Sequence, residues 1–240
     1  MFTGSVGIGG WFDMKSVFFK SLAGLAILLG VLLVLLILPP IGKHHKIPSM
    51  SMAPALVSGD LFYSSNYAYT FSADKIPTRG DIITFKPDGG RLIFIKRVIG
   101  LPGDKVQMRR GRLYLNQVLV ERKLKGTELL HLKFKSEAEA YTLYAEQYAQ
   151  DGQSFQIFER SDTAQLDNTA IFTVPKGYVF AMGDNRDNSY DSRVSASRGG
   201  AGFVPIQNII GEVKYILVPT KSCKNDEGLF CPKRKFFHKL

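Results

Sequence analysis

Three short stretches carry residue types that could do covalent chemistry together. The first, IPSMSMAPALVSGD at 47–60, offers the hydroxyls of Ser49, Ser51 and Ser58 among apolar and turn-forming residues. A serine attacks a carbonyl at neutral pH only when a neighbouring group takes its proton. Histidine is the familiar acceptor, and the chain has four. His44 and His45 adjoin a long hydrophobic run, His238 lies in a basic tail, and His131 sits apart in LLHLKFK. A G-x-S-x-G elbow is absent as well, so the α/β-hydrolase arrangement has no support.

Lysine is the remaining acceptor, provided it is buried. An exposed amine titrates at about 10.4 and must fall by about 3 units to serve as a base, a bias of roughly 4 kcal/mol against the ammonium. Lys96 is the candidate, because it interrupts the apolar run LIFIKRVI at 92–99. On a strand it would share one face with Phe94 and Val98. Snorkelling to water is the alternative fate of such a lysine. The third stretch, GDNRDNSYDSR at 183–193, is too polar for a core strand and follows the apolar YVFAM. It is either a solvated loop of Asx turns or an orienting element that offers Ser189 and a carboxylate–guanidinium pair, Asp191 with Arg193.

Positioning these groups falls mostly to strands. Asp60–Tyr63, Asp81–Phe85, Arg91–Ile99, Lys105–Met108, Arg112–Val120, Ala170–Val174, Tyr178–Met182 and Ile209–Val218 read as strands between Gly, Pro and Asp turns. Asn116-Gln117 reads as a hairpin turn. One segment differs: SEAEAYTLYAEQYAQDG from Ser136 pairs a Ser136–Glu139 capping box with Tyr141, Tyr144, Ala145 and Tyr148 at helical spacing. A short amphipathic helix is predicted there. The fold class is therefore mainly β: an antiparallel catalytic core, 42–108 and 169–220, with a smaller inserted β-rich subdomain, 109–168, carrying that helix.

At the N-terminus, after a flank of residues 1–16, SLAGLAILLGVLLVLLIL at 21–38 has no charge and ends at Pro39-Pro40. With the residues from 17 on, this predicts an uncleaved transmembrane helix over 17–41. Lys15 and Lys20 on one side and Lys43 and Lys46 on the other leave its orientation open. The 31 Lys and Arg against 21 Asp and Glu give a formal charge of +10, which suits an anionic lipid surface. No nucleic-acid-binding signature accompanies that charge. Cys223 and Cys231 bracket a short loop at the head of the basic tail, 221–240, and lack the further ligands of a metal site. They predict a disulfide formed in an oxidising compartment, with two free thiols as the alternative.

Together the stretches resemble, in order and in kind, the type I signal peptidase family of membrane-bound serine–lysine proteases. SMSMAPAL (49–56) is similar to its nucleophile box, RGDIITFKP (79–87) to the next strand, IKRVIGLPGD (95–104) to the lysine box, and GDNRDNSYDSR with GFVP (202–205) to the last. The resemblance implies Ser51 as nucleophile and Lys96 as general base. It implies Ser49 as an oxyanion donor beside the Ser51 N–H, Ser189 as a hydrogen-bond partner of the lysine, and Asp191 with Arg193 as a brace. Arg97 with Asp184 would form a second bracing pair. Ile47, Met52, Leu56, Thr84 and Ile95 would line shallow pockets for small substrate side chains.

The implied substrates are preproteins with signal peptides, cut after small residues through an acyl-enzyme, without metal or cofactor. The implied setting is the bacterial inner membrane, with the catalytic part on its extracytoplasmic side, in contact with lipid and the secretion translocon. A narrower peptidase of the same chemistry, serving pilin or conjugation proteins, is one alternative; a catalytically silent anchored scaffold is another.

Overall fold

The computed structural model describes residues 24–30, 42–65, 76–87, 92–132, 137–149, 151–220 and 229–240. The chain divides into two compact units, Met1–Ile41 and Gly42–Leu240. In the first, 24–30 are helical and exposed. The remainder of the expected anchor lies outside the described residues, and no described helix is long and apolar enough to cross a membrane.

The second unit is built of antiparallel strands. They are β1 (Gly42–Lys46), β2 (Leu61–Ser65), β3 (Ile82–Phe85), β4 (Phe94–Gly100), β5 (Lys105–Arg109), β6 (Arg112–Leu115), β7 (Val118–Leu119), β8 (Glu121–Leu130), β9 (Glu139–Gln147), β10 (Ser154–Glu159), β11 (Phe172–Thr173), β12 (Tyr178–Met182), β13 (Val204–Pro205), β14 (Ile209–Val218) and β15 (His238–Lys239). The largest sheet runs β1-β2-β14-β3-β4-β12-β13, with β15 on β14; β10-β9-β8 and β11-β5-β6-β7 form two smaller ones. Hydrophobic alternation explains the choice of strand. In β2, for example, Phe62 and Ser64 turn inward while Leu61, Tyr63 and Ser65 are half-exposed. Asn116 and Gln117 both take positive φ, +54° and +69°, and close β6 onto β7 as a tight hairpin.

The helix expected over 136–153 does not form. Ser136 lies outside the described residues, and Glu139–Gln147 is the middle strand β9, paired with β8 and β10. The misreading has a physical cause: Tyr141 and Ala145 are four apart, a separation that both a helical turn and two strand repeats satisfy. Leu143 breaks the tie, because it joins Tyr141 against Ala53, Val57, Leu130 and Phe158, which is a period of two.

Two packing groups matter for the site. Ile83, Phe85, Val98, Val179 and Ala181 form one around β3, β4 and β12. Ile47, Met52, Leu56, Phe62, Ile82, Val213 and Ile216 form another beneath the loop that carries Ser51. Between β4 and β12 a bulge at Phe180–Ala181 shifts the register, so that Met182 pairs with Arg97. It delivers Gly183 and Asp184 beside the lysine strand.

Asp60 pins the far end of the Ser51 loop. Its buried carboxylate accepts the N–H groups of Val57 at 2.9 Å and Thr220 at 2.8 Å, and pairs with Arg234 at 2.6 Å. Arg234 also donates to the Pro54 carbonyl. The C-terminal tail is thus tied into the fold rather than frayed. Cys231 is disulfide-bonded; the chain's other cysteine, Cys223, lies outside the described residues.

Candidate active site

Ser51 sits in a tight turn after Pro48, where Ala53 N–H bonds to Met50 O and Leu56 N–H to Met52 O. The apolar residues on either side, Met52 and Leu56, anchor the turn to the core beneath and leave the hydroxyl facing a groove. From β4, Lys96 reaches this hydroxyl: Nζ lies 3.1 Å from Ser51 Oγ. Phe94 shares its side of the strand, with the ring 5.8 Å from Nζ. Lys96 is only 5% exposed. Burial therefore pushes its pKa down to about 8, against the opposing pull of Asp191 and Asp184 and with help from Arg193. An amine in that range is partly neutral at physiological pH and can accept a proton from the hydroxyl.

The 183–193 loop frames this pair. Asp191 and Arg193 form a buried ion pair at 2.9 Å, and Asp191 also accepts the Gly183 N–H. Burial raises the Asp191 carboxyl, but the charge and hydrogen bonds of Arg193 outweigh it and leave its pKa below the usual value. Arg97 grips Asp184 through two hydrogen bonds, 2.8 and 2.7 Å, and covers the Phe155 ring. Both expected pairs are thus formed. Ser49 Oγ lies 3.2 Å from Ser51 Oγ.

Three expected positions differ. Ser189 is buried, but its hydroxyl makes no hydrogen bond among the described residues; Lys96 turns to Ser51 instead. Ile47, Met52 and Ile95 do line the groove, a cavity of about 540 Å³ with Ser51 and Lys96 in its wall. Leu56 and Thr84 do not. Leu56 is the floor on which the serine loop packs, and the Thr84 hydroxyl is spent inside the sheet on Ser64 and the Gly211 carbonyl.

Other contributors were not evident from residue type. His131 and Leu132, in the expected insertion, line the same groove, as do Ile93 and Tyr190. Asn185 acts through its backbone: its N–H holds the Ser51 carbonyl at 3.1 Å. Gly183 makes that approach possible, because a Cβ there would overlap Ser189 and lie 2.5 Å from the Ser51 carbonyl oxygen. The only sequence signal was a glycine opening a polar run. Gly183→Ala is accordingly expected to lower kcat/KM by about 100-fold through displacement of the serine loop, with stability falling by about 1–3 kcal/mol from overpacking. Steady-state cleavage beside urea unfolding checks it; unchanged kinetics would show that the close approach is irrelevant.

A serine hydroxyl against a buried amine, in an apolar groove on a β scaffold, is an arrangement that acyl transfer by a serine hydrolase can use. Comparison with known proteins narrows the class. The chain belongs to the signal peptidase family, peptidase S26, whose family model matches residues 20–218, and is thereby a serine endopeptidase. It is 33% identical over 213 residues to a signal peptidase I of Rickettsia typhi, covering 78% of this chain and 76% of that one. Signal peptidase I of Rickettsia canadensis is likewise 33% identical, over 80% of this chain and 77% of its own. A crystal structure of a signal peptidase I from Enterococcus faecalis is 28% identical, covers 57% of this chain and 97% of that one, and has a TM-score of 0.31.

Proposed function

We propose that the protein removes signal peptides from exported preproteins, with Ser51 as nucleophile and Lys96 as general base. The observation that carries this reading is the buried Lys96 amine 3.1 Å from the Ser51 hydroxyl, at the wall of an apolar groove. As Ser51 Oγ attacks the scissile carbonyl carbon, its proton passes to neutral Lys96 Nζ. The resulting ammonium returns a proton to the leaving amine as the C–N bond breaks. Water then enters, gives a proton to Lys96 as its oxygen attacks the ester carbonyl, and Lys96 returns that proton to Ser51 Oγ as the serine leaves. The Ser51 N–H and Ser49 hydroxyl are the proposed oxyanion donors, each such donor being worth about 3–4 kcal/mol in related chemistry. Asp191–Arg193 and Arg97–Asp184 hold the loop and the lysine strand in register.

In this reading residues 17–41 anchor the enzyme in the bacterial inner membrane and Gly42–Leu240 works on the extracytoplasmic side, near lipid and the translocon. Ile47, Met52 and Ile95 make the pockets shallow, which selects small side chains beside the cut.

The test is cleavage of a purified preprotein by the full chain in detergent. Ser51→Ala is expected to reduce the rate by about 10⁴-fold or more, with an unchanged unfolding midpoint. Persistent cleavage by Ser51→Ala would remove the serine from the mechanism, and a folded wild-type chain that cuts no preprotein would remove the function.

A further inference from the structure

Away from the groove, three carboxylates meet: ligand oxygens of Glu159, Asp167 and Asp187 all lie within 4.8 Å of one another. They come from separate segments. Glu159 ends β10, Asp167 lies in the loop that follows, and Asp187 belongs to the 3-10 turn Arg186–Asn188. Glu159 and Asp167 are 2% and 0% exposed. Both oxygens of Glu159, Oδ1 of Asp167 and Oδ1 of Asp187 are buried without a hydrogen-bond partner among the described residues. The remaining oxygens are occupied: Asp187 Oδ2 accepts the N–H groups of Arg160 and Ser161, and Asp167 Oδ2 accepts that of Ala164.

The neighbouring guanidinium groups act on this charge only at a distance, since none of their described hydrogen bonds reaches these carboxylates. Arg186 is bound to both oxygens of Glu146, and Arg193 to Asp191 and the Arg186 carbonyl. Carboxylates buried without partners are costly enough that something else must neutralise them. An all-oxygen set drawn from three separate segments suits a hard cation. Calcium in particular takes 6–8 oxygens at 2.3–2.6 Å, so ligands on opposite sides of it lie about 5 Å apart. Asp187 also faces a cavity of about 440 Å³ that can supply coordinating water.

We infer that Glu159, Asp167 and Asp187 form a structural site for a hard divalent cation, with calcium as the best fit. Its effect would be to fasten the 154–169 segment onto the 183–193 loop. The two already touch, through a bridge between Phe158 and Asn185 and a hydrogen bond from Phe158 N–H to the Asp184 carbonyl. Asn185 is the residue that holds the Ser51 carbonyl. The ion takes no part in acyl transfer. Its binding can be read without reference to the proposed activity, so failure of one reading leaves the other standing.

The test uses the full chain in detergent, stripped with EDTA, and titrated calorimetrically with calcium chloride and, separately, magnesium chloride. One ion per chain is expected, with the unfolding midpoint rising by about 5–10 °C at a hundredfold excess over Kd. Glu159→Gln and Asp167→Asn, each checked for folding by circular dichroism, should weaken binding by about tenfold or more. Failure of the unmutated chain to bind either ion below about 1 mM, where extracellular calcium modules operate, overturns the inference and leaves a shared proton as the neutralising charge. A folded Glu159→Gln chain that binds calcium as tightly as the wild type overturns it equally.

Discussion

Replacing Lys96 with methionine is expected to abolish cleavage and, at the same time, to make the protein harder to unfold. The activity loss follows from removing the proposed base and should reach about 10⁴-fold. The stability gain follows from the depressed amine. With a pKa of about 8 in the folded chain against 10.5 unfolded, protonation is disfavoured by folding, by about 3 kcal/mol in all. Below pH 8 both states are protonated and the folded state bears the whole penalty. Between pH 8 and 10.5 the unfolded chain binds more protons, so stability rises with pH; above 10.5 the penalty is gone. Methionine, of similar length and uncharged, should therefore raise the unfolding midpoint by several degrees at pH 7 and by little at pH 10.5. In the wild type, kcat/KM should climb about tenfold per pH unit and level off near pH 8. A limb near 10.5, or a methionine variant less stable at pH 7, would show that the amine is not buried in solution.

The second large effect concerns stability alone. Arg186 is 1% exposed and donates to both oxygens of Glu146, at 2.7 and 2.5 Å, while Tyr148 donates to the same carboxylate at 2.8 Å. Burial and the Glu146 charge push the Tyr148 phenol well above its usual range, so it stays a donor. Glu146→Ala strips the guanidinium of its only carboxylate hydrogen-bond partner among the described residues. The expected destabilisation is about 3–5 kcal/mol in urea at pH 7. The double variant Glu146→Ala with Arg186→Met should regain much of it, because both members of the hydrogen-bonded pair are then removed together. A single-variant loss under about 1 kcal/mol would mean that water reaches the pair.

Much of this was legible because strands and turns write themselves locally. Ile209–Val218 reads as a strand and forms one with those bounds, since β-branched residues recur through it. Lys96 stood out because a lone amine in LIFIKRVI has few physical fates. The failures are as local in origin. The tyrosines of 139–147 recur at a spacing common to both regular structures, and only pairing with β8 and β10 decides between them. Thr84 looked like a pocket residue, but the sheet consumes its hydroxyl. The backbone grip of Asn185 on Ser51 and the arrival of His131 at the groove leave no trace in residue type, because both depend on how distant segments converge.

The buried carboxylate of Asp60 has one more implication. It ties together the exit of the serine turn, the end of the last long strand and an arginine close to the chain's final residue. Cleavage that removes Arg234 is thus expected to loosen, from behind, the turn that carries the Ser51 hydroxyl.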